Sequence, residues 1–400
     1  MRLAFKRKLI ILPFLVFLIA VGNVFVLVYQ HHEKSLVKKG NQTVTVLIHE
    51  KAPSSYNFLK ALRVEIKETF RRYEAKEETV GKTYQKAAFH KKQGRYRRNS
   101  IAFPDCQPTP FLLIEVHTTP QNFMEREAIR LSWGRPQNAI NAANVGEQLN
   151  PSLWKTVFLI GHTQNKRLDE LLEVEANHHK DLVFGNFIDS YRNLSRKMAF
   201  GVEWASKHCQ ARYILKADED SFVNILEVIK LLKKYDRMYS RNTPLYVGAA
   251  LLAKEPYRDK ESKFYVSEKD YPRPTYPPYA AGAGYVFSGN LLKNLSTALK
   301  VVKLFPNEDA CFGALMQHNG VSLLNNDRFI PFSTGKAVYR KEGGYSLCRF
   351  DSPLVIHRVS GILQIQTHFN VLVLRHVPTI CQHIKYGIGE DDNFVDDEIW

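Results

Sequence analysis

The 400-residue chain is 44% hydrophobic and 24% charged, a globular composition that excludes wholesale disorder and allows one large or two modest cores. Its formal net charge of +16 points to polyanions, phosphorylated ligands or an acidic membrane surface, without choosing among them.

Arg2, Lys6, Arg7 and Lys8 precede an uncharged run from Leu9 to Tyr29, LIILPFLVFLIAVGNVFVLVY. A membrane-crossing helix takes roughly 20 apolar residues, whereas a cleaved leader has an apolar core of roughly 7–15 and a small-residue cleavage site. This run is long and no such site follows. It predicts a cytoplasmic tail over 1–8, a transmembrane signal-anchor over 9–29 and a lumenal remainder, because basic residues lead it. Lys34, Lys38 and Lys39 on the far side weaken that orientation without reversing it. Cys106, Cys209, Cys311, Cys348 and Cys381 suit an oxidising compartment, and their odd number leaves at least one without an intrachain partner. Glycosylation sequons stand at Asn41, Asn193 and Asn294, about the number expected by chance.

Residues 30–105 read as a polar lumenal stem. Within it, KALRVEIKETFRRYEAKEE places Leu62, Ile66 and Phe70 at helical spacing, and HKKQGRYRRNS is a basic cluster. Nucleic acid is a poor partner for a lumenal segment, so the cluster reads as solvated linker. From Cys106 the texture changes. FLLIEVHT predicts a strand, FMEREAIRLSWG a helix, WKTVFLIG a strand and RLDELLEVEANHHKD a helix. LVFGNFID, NLSRKMAFGVEWASKHC and ARYILKAD continue as strand, helix and strand. This alternation predicts an α/β domain with a largely parallel sheet over 106–360, and residues 361–400 form a tail with a disordered acidic end, EDDNFVDDEIW.

The strand ARYILKAD runs into Asp218, Glu219 and Asp220. Ligands of open α/β sheets gather beyond the carboxyl ends of strands. Asp218 and Asp220, two apart in extended chain, leave on one side and offer hard oxygen ligands suited to Mg²⁺ or Mn²⁺. Such an ion needs phosphate oxygens to fill its shell, which suggests a nucleotide diphosphate. A solvated turn has the same composition, so D-x-D alone decides nothing.

Six blocks in order do. REAIRLSWG, FIDSYRNLSRKMAFGVEW, KADEDSFVN, YPPYAAGAGYVFSG, EDACFG and YSLCRF with VIHRVS resemble the conserved segments of the β-1,3-galactosyltransferase family, which includes β-1,3-N-acetylglucosaminyltransferases. The resemblance implies a GT-A nucleotide-diphospho-sugar transferase fold and an inverting β-1,3 transfer. It implies a UDP-sugar donor, UDP-galactose foremost, with Mn²⁺ as cofactor and a glycoprotein or glycolipid glycan as acceptor. The expected location is the Golgi membrane, type II, with a lumenal catalytic domain.

By the same resemblance Asp220, Asp218 and His357 hold the metal, while Lys216, Asp218, Glu219 and Asp220 meet the donor. Arg126 and Arg130, four apart on one helical face, would aim two guanidinium forks at the diphosphate. Asp309 would be the general base, with Glu308 beside it raising its proton affinity. From local sequence, Glu308 and Asp309 serve equally well as helix caps, and His357 as an ordinary histidine. Gly282 and Gly284 permit close backbone approach under a sugar, or simply a tight loop. Ala280 stands where the family usually has cysteine, so one familiar disulfide is expected to be absent.

Overall fold

The computed structural model describes residues 16–21, 24–29, 45–47, 53–88, 104–137, 153–331 and 353–376. Asn41, Cys348, Cys381, the 90–100 basic cluster, YSLCRF and the acidic end lie outside them. The chain divides into a compact unit, Glu65–Leu372, and the terminal segments Met1–Val64 and Val373–Trp400.

In the N-terminal segment, β1 (Val16–Val21) and β2 (Val24–Tyr29) pair antiparallel, and β3 (Thr45–Leu47) joins β2 in parallel. This corrects the helix expected over 9–29. Both strands are runs of Val, Phe, Leu and Ile, and the residues between them are Gly22-Asn23, the types that favour a two-residue hairpin turn. Among the described residues, no helix is long and apolar enough to cross a membrane.

Helix α1 (Pro53–Ala88) follows. Its part beyond Glu65 is no detached stem: Ile66, Thr69 and Tyr73 are buried along one stripe within the compact unit. Then come β4 (Leu112–His117), α2 (Phe123–Arg130), β5 (Trp154–His162), α3 (Lys166–His179), β6 (Leu182–Ile188), α4 (Leu194–His208) and β7 (Tyr213–Asp218). The remainder comprises β8 (Ser221–Val223), α5 (Ile225–Met238), β9 (Tyr246–Leu251), β10 (Tyr279–Ser288), α6 (Leu292–Ala298) and α7 (Glu308–His318). The strands β11 (Leu324–Asn325), β12 (Phe329–Ile330) and β13 (Val355–His357) precede α8 (Ile362–His376). The compact unit therefore reaches beyond 106–360 at both ends.

A seven-stranded sheet in the order β11-β9-β10-β7-β4-β5-β6 carries the unit, with only β10 running against the others. The expected mixed, largely parallel α/β sheet is thus present. The alternation of β4 explains its two covered faces. Leu112, Ile114 and Val116 join one apolar cluster with α2, α3 and α5, whereas Leu113 joins another with α4, α6 and α7. A small second sheet, β12-β13-β8, pairs the chain just after the acidic triplet with residues near 356.

On the α4 face, β4 buries Glu115 directly under Gly201, where an added Cβ would come within 2.7 Å of Glu115 Oε2. Its Oε1 has no hydrogen-bond partner, and burial pushes the carboxyl up to about 8. A proton held in the folded state but released in the unfolded one sets the sign. Glu115 contributes stability that is lost progressively from pH 4.5 to about 8, so the difference in urea midpoint between the wild type and Glu115→Gln is expected to change across that window. Parallel curves for the two proteins would refute this assignment.

The Cys106–Cys209 disulfide closes a loop with a sequence separation of 103, and Cys311 is buried and free. Replacing both bridged cysteines by alanine is expected to cost about 2–4 kcal/mol in reversible urea unfolding, since the unfolded chain loses its cross-link.

Candidate active site

The site forms at the carboxyl end of β7, beside the one reversed strand. β7 delivers Lys216 and Asp218, and the chain turns through Glu219 and Asp220 into β8. β13 pairs antiparallel with β8 in a register that sets His357 opposite Ser221, and Val359 N donates to Asp220 O at 2.8 Å. Asp218, Asp220 and His357 thereby bring ligand atoms within 4.8 Å of one another. His357 Nδ1 lies 2.8 Å from Pro331 O, a contact that makes Nδ1 the donor and leaves Nε2, 3.4 Å from Asp220 Oδ1, facing the carboxylates. Two hard carboxylates and one oriented imidazole suit a Mn²⁺-like ion.

Glu219 does not join this trio. Its carboxylate turns to the segment after β4, accepting from Thr118 Oγ1, from Thr119 N at 3.1 Å and from Asn122 Nδ2 at 2.6 Å. Its backbone carbonyl accepts from Gln364 Nε2 at 2.7 Å, and Gln364 Oε1 accepts from the fully buried Trp133 Nε1 at 2.6 Å. Sequence reasoning missed Gln364 because it lies in the segment read as a tail. The buried Trp133, whose indole N–H needs an acceptor, is the one signal that leads to it.

Arg126 and Arg130 are placed differently from the expectation of a diphosphate clamp. Both are buried, at 0% and 3% exposure, with their guanidinium groups turned into the fold. Arg126 forms a two-pronged bond to Glu175, at 2.9 and 2.7 Å, and donates to Thr118 Oγ1 at 3.2 Å and Thr119 O at 2.7 Å. Arg130 grips Asp181 with two bonds of 2.8 Å and reaches Glu175 at 2.8 Å. The guanidinium forks match carboxylates supplied by α3 and by the start of β6, partners that local sequence spacing does not reveal. Arg126 therefore acts through Thr118 on Glu219.

Lys216 is 3% exposed and joins the two halves of the site. Its Nζ donates to Asp218 Oδ1 at 2.7 Å and to Gly282 O, and lies 3.1 Å from Glu308 Oε2. It is thus committed to carboxylates of the protein rather than standing open to a donor. β10 supplies Gly282 through an irregularity between Ala280 and Tyr285, where its register with β9 shifts. Gly282 N donates to Asp309 Oδ2 at 3.0 Å, and a Cβ on Gly282 would crowd that oxygen at 3.3 Å. A residue without a side chain spares Asp309 that crowding.

Asp309 stands in the first turn of α7, partly buried, with Oδ1 accepting from Ala310 N at 3.0 Å. The capping role read from local sequence belongs to Asn307, whose side chain accepts from Ala310 N. Burial raises Asp309 above the ordinary aspartate value, opposed by Lys216 and the two backbone donors. Glu308 is fully enclosed, bonded to Tyr285 Oη at 2.9 Å, and burial pushes it up to about 7. Asp218 and Glu308 together push Lys216 up, so the ammonium stays charged. Lys216 is the cation that Asp218 and Glu308 share, and the buried Glu308 holds its proton more tightly than an ordinary glutamate.

Of the described sequons, Asn294 is exposed on α6. Asn193 is partly buried and donates to Ile188 O at 2.8 Å, and Ser195 of its sequon is buried.

The sequence profile headed Galactosyltransferase matches residues 124–327, which hold the acidic triplet and Asp309. Beta-1,3-galactosyltransferase 5 of Pan paniscus is 32% identical over 278 residues, covering 67% of this chain and 82% of the relative. The Homo sapiens protein of that name is 33% identical over 236 residues, 58% of this chain and 71% of its own. Beta-1,3-galactosyltransferase 1 of Mus musculus is 31% identical over 253 residues, 63% of this chain and 71% of its own. The chain belongs to the galactosyltransferase family, among the β-1,3-glycosyltransferases.

Proposed function

We propose that this hexosyltransferase is an inverting β-1,3-galactosyltransferase of GT-A fold, moving galactose from UDP-galactose to a terminal N-acetylhexosamine on a glycoprotein or glycolipid glycan. The carrying observation is the grouping of two carboxylates and an imidazole, at Asp218, Asp220 and His357, with a separate carboxylate at Asp309 held by the amide of Gly282, whose carbonyl bonds Lys216. The trio would hold Mn²⁺. A bound divalent ion supplies a Lewis acid for the diphosphate oxygens and offsets the charge that develops on departing UDP.

Asp309 takes the proton from the acceptor 3-hydroxyl. The hydroxyl oxygen then bonds to the anomeric carbon as the bond from that carbon to the UDP oxygen breaks, and attack from the opposite face inverts the centre. Gly282 N and Ala310 N fix the carboxylate of Asp309 for that transfer. Residence in the Golgi lumen fits the Cys106–Cys209 disulfide.

Transfer from UDP-galactose and from UDP-N-acetylglucosamine to terminal N-acetylhexosamine and galactose acceptors tests the reading. Galactose transfer is expected to dominate; its absence would sink the donor assignment. Chelation with EDTA is expected to abolish turnover and Mn²⁺ to restore it, with Asp220→Asn and His357→Ala each raising the Mn²⁺ needed for half activity.

Asp309→Asn is expected to lower kcat by about 10²–10⁴-fold while UDP-galactose binding persists in calorimetry. Because the base works deprotonated and burial raises its value above 3.8, kcat/KM should fall on acidification along a limb lying above the ordinary aspartate range. A limb at or below that value would contradict the assignment of Asp309.

A further inference from the structure

An aromatic cluster that the donor machinery does not use stands exposed at the carboxyl end of the sheet. Tyr191, from the turn after β6, is 48% exposed. Phe264 and Tyr257, from the segment joining β9 to β10, are 40% and 47% exposed. The Phe264 ring centre lies 6.1 Å from that of Tyr191 and 5.5 Å from that of Tyr257, so the three form one continuous surface. Contiguous exposed aromatics of this kind mark binding surfaces rather than ordinary solvent-facing chain.

The surface is held in place from below. Arg258 donates to the carbonyls of Val266 at 2.8 Å and Tyr271 at 2.7 Å, folding the segment back on itself. Beneath it Tyr276 stacks on Phe305 with ring centres 5.6 Å apart. The same segment leads straight into β10, where Tyr279 packs against Tyr276 at 5.9 Å and Gly282 reaches Asp309. The segment that carries Tyr257 and Phe264 thus leads to the residue that holds the base, and Asp309 is, after burial, among the groups that raise the Tyr191 phenol.

A pyranose ring has an apolar C–H face and a rim of hydroxyls. Aromatic rings suit the face and flexible cations suit the rim. Lys263 Nζ lies 4.8 Å from the Phe264 ring centre and 5.9 Å from that of Tyr191, on a stem long enough to swing aside. We propose that Tyr191, Phe264 and Tyr257 form the acceptor subsite, stacking on a pyranose of the acceptor glycan while Lys263 meets its hydroxyl rim. This rests on the galactosyl-transfer reading for which sugar arrives, but the surface itself does not.

The test uses the full chain with Mn²⁺, UDP-galactose as donor and methyl β-N-acetylglucosaminide as acceptor probe. Phe264→Ala and Tyr257→Ala are expected to raise the acceptor KM about tenfold and leave the UDP-galactose KM in place, as loss of an aromatic anchor does. Phe264→Tyr should restore the wild-type value. Saturation-transfer NMR of the probe with UDP present reads the same contact without turnover, and the alanine variants should lose it. A wild type that transfers no galactose, yet gives an NMR contact the variants lose, removes the galactosyl reading and keeps the subsite. Normal transfer with unchanged acceptor KM and NMR contact in the variants overturns the subsite and keeps the reading. A rise in donor KM, or no contact in the wild type, also overturns it.

Discussion

The buried ammonium of Lys216 is the constraint on which the site depends. It sits between a strand that ends in the acidic triplet and a helix that begins with Glu308 and Asp309, and it bonds to both. Burying a cation is costly unless carboxylates surround it, and bringing carboxylates together is costly unless a cation lies among them. Each half of the site is thus the condition for the other. The reversed strand β10 completes the arrangement by presenting the Gly282 carbonyl to Lys216 and the Gly282 amide to Asp309. The Asp218 and Asp309 sides of the site are consequently linked through Lys216 and Gly282, not packed as two independent loops.

Much of the fold was legible because periodicity is a local property. The four strands expected from FLLIEVHT, WKTVFLIG, LVFGNFID and ARYILKAD are β4 to β7, and they lie parallel as the intervening helices require. The acidic triplet was legible as a strand terminus for the same reason. Its meeting with His357 was not, since it depends on the β8–β13 ladder between segments far apart in sequence. Only resemblance to a family brought that histidine forward.

What local spacing misjudged were charged groups whose partners come from elsewhere in the chain. Arg126 and Arg130 share a helical face, as expected, but the face looks inward toward Glu175 and Asp181. Glu219 stands between Asp218 and Asp220 yet turns toward Thr118 and Asn122. A charge in the sequence carries no record of whether it will be solvated or paired, and burial decides that after folding. The N-terminal run erred differently. Its apolar length suggested a helix, while its β-branched composition and central Gly-Asn pair agree with strands β1 and β2.

The helix α8 carries a consequence for how the protein is made. Gln364 bridges Trp133 to the Glu219 carbonyl, and His357 arrives on a strand only a few residues earlier. During synthesis from the N-terminus, the acidic triplet emerges long before either support. A ribosome-bound or prematurely ended chain therefore has the triplet without His357 and without its Gln364 backing. The surroundings of the triplet are thus completed only when the last stretch of the domain has been made.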